Sequence, residues 1–336
     1  MKKILKHIFM FISFVMLFTS CKFEKKASIT EHYITLRLSE NHVRGTPAAL
    51  ADEEFARLVE EKTGGKVKVE ALFGGALTET SEEAVVALKN GDIAFTRLSS
   101  SVVTSYVPRF SALQLPYLYR SSEHMWKVLN GKLGQELLAD IERSGSGLVG
   151  LCYYDAGSRN FYSTKEIRSI ADLKDLRIRV QGQLMADMCA ALGAVGVKGI
   201  GMTEVRSNLE SGFIDAAENN WNTYQSTGDF TAAKYYILDQ HTRLPELLVA
   251  SKKVLSSLKP QYVEAIKEAA KLAQEYEIQK WHEKEAAAEQ IVRSNRNKVI
   301  ELSPSVISEF QLAMQPLYDK YGSKFRDVIS TIQATN

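Results

Sequence analysis

Two arginines and one amide are the side chains best placed to do chemistry. They are Arg159 in Asp155-Ala-Gly157-Ser-Arg159, Arg179 in Asp172-Leu-Lys-Asp-Leu-Arg-Ile-Arg-Val-Gln181, and Asn219 in Asp215-Ala-Ala-Glu-Asn-Asn-Trp221. Leu176, Ile178 and Val180 alternate with Arg177 and Arg179, the period-two pattern of a short strand. Gln181-Gly182 ends that pattern before a helix over 184–192. A guanidinium at the carboxyl end of a strand, ahead of a loop and a helix, sits where open α/β sheets bind ligands. Taken alone, the stretch also reads as ordinary solvated strand-edge charge. Its company alters that reading, because each of the three residues follows a predicted strand and all three are expected to converge on one sheet edge. The set holds no nucleophile and no acid–base pair. It suits the capture of an organic anion, since guanidinium meets carboxylate in a planar, two-bond geometry that an ammonium cannot reproduce.

The elements that must position these side chains alternate. Strand, helix, strand, helix, strand is the order over 33–38, 48–62, 67–73, 81–88 and 93–96, the pattern of a mostly parallel sheet with crossover helices. Helices follow over 122–129 and from 133 to about 143, and an apolar strand over 148–154. A second βα series begins beyond Ala171, with strands at 177–180, 196–197 and 214–217 and helices at 184–192 and 203–211. Two α/β lobes are the simplest account. After Pro260 a stretch without glycine or proline runs to about Lys298 with an apolar stripe of helical period that includes Ala287, Ala288 and Ile291. At 1.5 Å per residue such a helix is roughly 57 Å long. Its stripe lacks leucine heptads, so it is expected to span both lobes rather than form a coiled coil.

The N-terminus indicates the compartment. Lys2, Lys3 and Lys6 precede an apolar run over 8–18 that is too short to span a bilayer, and Thr19-Ser20-Cys21 follows. This is an export signal, and small residues ending in cysteine resemble a bacterial lipoprotein cleavage site, with Cys21 as the lipidated residue and a lipid anchor on the membrane. Residues 22–32 read as a tether. Of 42 basic and 40 acidic side chains, three lysines leave with residues 1–20, so the mature chain carries a net charge of −1. That balance gives no electrostatic case for a nucleic-acid partner. Cys152 and Cys189 lack a second cysteine or histidine at ligand spacing, which argues against a metal site; one disulfide and two buried thiols both remain open. Enzyme motifs fail in turn. His282-Glu-Lys-Glu-Ala286 lacks the second histidine of a zinc protease helix, the Gly-Lys pairs at 65–66 and 131–132 lack the upstream glycine of a phosphate loop, and Ser144-Gly-Ser-Gly147 is no nucleophile elbow. No enzyme activity and no cofactor are expected.

At these residues the chain resembles the substrate-binding subunits of TRAP transporters, the DctP-type proteins, over about residues 33 to 325. Lys62-Thr-Gly-Gly65, Asn90-Gly-Asp-Ile-Ala-Phe95, Leu115-Pro-Tyr117, Gly157-Ser-Arg159, the 172–180 stretch, Leu192-Gly-Ala194, Glu204 with Glu210-Ser-Gly212, and 215–219 carry the resemblance. So do the separations of 20 residues from Arg159 to Arg179 and 40 from Arg179 to Asn219. The resemblance implies a two-lobed α/β clamshell, each lobe a mostly parallel sheet flanked by helices. Lobe 1 would comprise 33–156 with 245–284, lobe 2 would comprise 157–244 with 285–336, and a long helix would cross both. It further implies a periplasmic, monomeric binding protein that hands a small organic acid to a membrane permease, with Arg179 on the ligand carboxylate and Arg159 and Asn219 assisting. The family's usual Asp-Gly-Gln-Glu-Asn-Pro reads here Asp215-Ala-Ala-Glu-Asn-Asn220. The Asn-Asn-Trp ending, the 154–162 run and Phe95-Thr-Arg-Leu98 look most like members that bind uronic and related sugar acids; a C4-dicarboxylate binder, or an exported lipoprotein enzyme acting on sugar acids, is the alternative. Softer candidates for the ligand's remaining surface are His42 and Arg97 as polar partners, Trp221 and Tyr117 as stacking platforms for a sugar ring, and Ser99 and Glu79 as hydroxyl partners. His42 and Arg97 read equally well as solvated loop residues, and Tyr117 as hinge packing.

Overall fold

The computed structural model describes residues 33–336; the export segment, Cys21 and the tether lie outside the described residues. Among the described residues, eleven strands form two sheets. In chain order they are β1 (Ile34–Ser39), β2 (Val67–Leu72), β3 (Phe95–Ser99), β4 (Leu148–Tyr154), β5 (Ser158–Ser163), β6 (Arg177–Arg179), β7 (Val195–Val197), β8 (Ala216–Asn219), β9 (Tyr235–Arg243), β10 (Glu246–Ser251) and β11 (Lys298–Glu301). The first sheet has the order β2-β1-β3-β10-β4 and the second β11-β9-β5-β8-β6-β7. The expected parallel character holds with one reversal in each. Strand β10 runs antiparallel to β3 and β4, and β5 runs antiparallel to β8 and β9.

Local sequence explains the crossover helices. Thr46 caps helix Pro47–Lys62 by accepting the Ala49 N–H at 3.3 Å, with proline at its first position, and Phe55, Leu58 and Val59 face the sheet. Thr80 and Glu83 form a capping box on Ser81–Asn90, and Gly91, at φ 80°, ends that helix in the left-handed region. Cys152 and Cys189 are buried free thiols, one in each sheet's apolar core, so the two-thiol alternative holds.

Helix Pro260–Ser294 has 35 residues and belongs to two cores. Ala265, Ile266, Ala269, Ala270 and Ala273 pack with β1, β3, β4 and β10 side chains, whereas Ala288 and Val292 pack with Trp221, Tyr224 and Tyr236 of the second lobe. Small residues on the near half let it lie close to helix Pro47–Lys62. Ile291, counted in the apolar stripe, is 44% exposed; Val292 takes the buried position instead. Besides this helix the chain passes between the sheets at 155–157 and 244–245. The C-terminal helix Arg326–Ala334 departs from the expected division, which put all of 285–336 in the second lobe. Its Val328, Ile329 and Ile332 are buried in the cluster that holds Leu113, Trp126 and Leu129, so it packs with the first lobe. Among the described residues no helix is long and apolar enough to cross a membrane.

Candidate functional site

A cleft of about 730 Å³ lies between the sheets. The loop after β1 contributes His42, the end of β3 contributes Ser99, β5 and β8 contribute Arg159 and Asn219, and the long helix contributes Trp281 and Lys284. Arg159 follows β4, as the sequence suggested, and is itself the second residue of β5. Because β5 is the reversed strand, its start lies beside the end of β8, with Asn160 opposite Asn219. The reversal is what brings Arg159 to the same sheet edge as Asn219.

Arg159 is locked in place. Its Nε bonds the Glu218 carboxylate, Nη1 donates to Asn219 Oδ1 at 3.0 Å, and Nη2 donates to the Glu218 carbonyl at 2.8 Å. Asn219 Oδ1 also accepts the Asn220 N–H at 2.9 Å, and no described residue accepts from its Nδ2, which remains a donor for a ligand. Behind Arg159, His241 bridges Glu218 Oε2 (3.4 Å) and Asp239 Oδ2 (2.7 Å). Burial opposes charge on both groups, yet the ion pairs prevail. Glu218 is held at about 2 by Arg159 and His241, and His241 is pushed up to about 9, chiefly by Asp239 and then Glu218.

Arg179 ends β6 beside Ala217 of β8, and it is buried. Its Nε and Nη2 donate to the Ile200 carbonyl at 3.0 and 2.9 Å, and among the described residues no carboxylate forms an ion pair with it. It does not itself line the cleft. Gln181, two residues on, and Met202, two residues beyond its carbonyl partner, do.

The first-lobe candidates separate. His42 lines the cleft, with Nδ1 3.0 Å from Glu40 Oε1. Ser99 lines it too, its hydroxyl 2.8 Å from Ser101 Oγ. Arg97 is not a free cation reaching for a ligand. It is buried, with Nε 3.1 Å from Glu40 and Nη1 2.6 Å from Glu246. Burial would raise the Glu40 carboxyl, but Arg97 and then His42 hold it at about 2. Glu79 lies outside the cleft, exposed, its backbone N–H bonded to Glu83 in the helix cap.

Neither expected stacking platform faces the cleft. Trp221 is buried with its ring centroid 3.9 Å from that of Tyr236 at 25°, so its face is already covered. Tyr117 borders a separate cavity of about 340 Å³, donating its N–H to the His241 carbonyl at 2.7 Å and its hydroxyl to Asp239 at 3.1 Å. The aromatic that does line the cleft is Trp281, which sequence reading passed over because it lies within a long polar helix. Glu218 and His241 were also missed. Glu218 stood inside the 215–219 motif, and Asp239 and His241 are two apart, the same-face spacing of a strand, in a stretch not read as one.

Comparison with known proteins gives a consistent picture. The model of the family described as DctP, bacterial extracellular solute-binding protein, family 7, matches residues 38–324. A TRAP periplasmic solute-binding protein from Bradyrhizobium, in complex with galacturonate, is similar at a TM-score of 0.78 and 36% identity, covering 90% of this chain and 100% of that one. One from Pseudomonas putida F1 with bound D-glucuronate is similar at 0.79 and 33%, covering 90% and 97%. The C4-dicarboxylate-binding protein DctB of Bacillus subtilis is 28% identical, over 86% of this chain and 82% of its own length.

Proposed function

The chain belongs to the bacterial extracellular solute-binding proteins of family 7, and from that premise we propose that it captures a uronate or closely related sugar acid between its lobes. It delivers this ligand to the membrane subunits of a TRAP transporter, acting as an exported monomer held to the membrane by lipid on Cys21.

The observation that carries the reading is the state of Arg179. A buried guanidinium with no carboxylate in contact, only the more distant charge of Asp229, is under-paired, and a ligand carboxylate relieves that cost. Its donors now rest on the Ile200 carbonyl, a neutral acceptor; a carboxylate is the stronger one. The carboxylate enters beside Asn219, whose Nδ2 is unspent, and Arg159 adds positive potential from a fixed position. Lobe closure then excludes water and strengthens the charge pair. His42 and Ser99 meet the ring hydroxyls from the first lobe. Such a set is suited to binding and release.

A C4-dicarboxylate needs a second cation across the cleft. Arg97, the candidate on β3, already serves Glu40 and Glu246 and does not supply one; the similar solved proteins with bound glucuronate and galacturonate favour the sugar acid. The test is a thermal-shift screen of residues 22–336 against glucuronate, galacturonate, succinate, malate, sialic acid and neutral sugars. A ligand that binds only the folded state raises the melting temperature. Shifts with the uronates support the reading, shifts with succinate or malate alone move it to dicarboxylates, and shifts with neutral sugars alone remove the role of Arg179.

A further inference from the structure

The polar groups around the cleft are unevenly satisfied. Arg159, Arg44 and His42 each have a carboxylate partner, and Asn220 is bonded through both ends of its amide. Besides the Asn219 amide nitrogen on the Arg159 wall, the exceptions include a set in one corner, between helix Trp221–Ser226 and the long helix packed against it. There both amide atoms of Asn222 and the indole Nε1 of Trp281 are shut off from solvent, with no hydrogen-bond partner among the described residues. Lys284, three residues beyond Trp281 and so on the same helix face, lines the cleft with no ion pair or hydrogen bond to a described residue. Gly157, at φ 66°, lets the strand crossing pass close to this corner. A Cβ there would stand 2.8 Å from Trp281 Nε1 and 3.0 Å from Glu285 Oε1, so the corner adjoins the Arg159 wall directly and also holds the Glu285 carboxyl, which burial and then Asp155 push up to about 7.

An unbonded buried donor or acceptor costs about 1–3 kcal/mol. A group of them beside a free cation marks where a ligand's hydroxyls and a second negative charge belong. The cleft, at about 730 Å³, falls in the range of about 300–1,000 Å³ that holds drug-sized molecules, larger than one sugar ring. Resting on the sugar-acid reading above, we propose that the corner is a second subsite and that the ligand is a uronic acid disaccharide. One ring presents its carboxylate to the arginine wall. The second ring places its carboxylate on Lys284 and its hydroxyls against Asn222 and Trp281, whose side chains turn toward it as the ligand seats.

Isothermal titration of the mature chain with galacturonate and with α-1,4-linked digalacturonate tests this. Wild type is expected to bind the disaccharide at least 10-fold more tightly than the monosaccharide. Lys284→Gln and Asn222→Ala are each expected to remove most of that gain while changing galacturonate affinity no more than twofold, with circular dichroism reporting the fold. Disaccharide binding no tighter than galacturonate, or equal loss of both ligands in Lys284→Gln, overturns the subsite and leaves the uronate reading standing. If wild type binds neither acid, the uronate reading falls and the subsite falls with it.

Discussion

Each lobe buries one arginine near the cleft, Arg97 at 9% exposure and Arg179 at 6%, and the two differ in almost nothing but their partners. Arg97 on β3 is enclosed by Glu40 and Glu246, both within 3.1 Å. Arg179 on β6 rests on one backbone carbonyl. Equal burial therefore conceals opposite roles. A cation whose charge is already met holds the protein together, and one whose charge is unmet is available to something else. The second-lobe wall repeats the lesson internally, since Arg159 is matched by Glu218 and fixed, while Arg179 two strands away is not.

The contrast can be broken at either end. Arg97→Ala strands the buried Glu40 and the half-buried Glu246 and is expected to cost about 3–5 kcal/mol of stability, measured by denaturant unfolding. A loss below about 1 kcal/mol would show that the enclosed pair is not structural. Arg179→Ala should leave the melting temperature of the empty protein nearly unchanged and weaken uronate binding by roughly 100-fold or more; Arg179→Lys should recover only part of that loss, because an ammonium cannot make the paired bonds. Full affinity in a folded Arg179→Ala chain would dissolve the contrast.

A third probe uses pH. His241 is raised from 6.5 to about 9, so its contribution to stability is complete below pH 6.5 and is lost as pH rises through 9. Unfolding free energy should fall by up to about 3 kcal/mol across that window, and His241→Gln should flatten the decline. A wild-type curve with no such decline would mean His241 is neutral and Glu218 is held by Arg159 alone. The smallest expected effect is at Glu79. Glu79→Ala should change neither affinity nor stability by more than about 0.5 kcal/mol, and a clear loss of uronate binding would bring the 74–80 loop back into the site.

Much of this was legible before the structure. Period-two and period-3.6 patterns and one continuous apolar run located β1 to β4, β6 to β8 and the long helix. Strands β5, β9, β10 and β11 were not read. β5 begins Ser-Arg-Asn, and β9 carries Asp239, Gln240 and His241, so polar residues at buried positions hide the alternation. Those polar residues are buried only because they pair with one another, a tertiary fact with no local trace. The same blindness misjudged Trp221 and Arg97. Residue type marks what a side chain is able to do, and whether it is already occupied depends on neighbours brought from 15 to 150 residues away, such as Tyr236 for Trp221 and Glu246 for Arg97.

Strand β10 has a consequence for how the chain acquires its shape. It occupies an interior place in the first sheet, between β3 and β4, yet it follows both in the chain, after the whole β5 to β9 series. Until it arrives, β3 and β4 have no shared neighbour and the first lobe is a sheet with a gap; the apolar half of the long helix that covers that sheet comes later still. Contacts of such separation in sequence are slow to form. The first lobe thus cannot be completed ahead of the second-sheet strands that precede β10 in the chain.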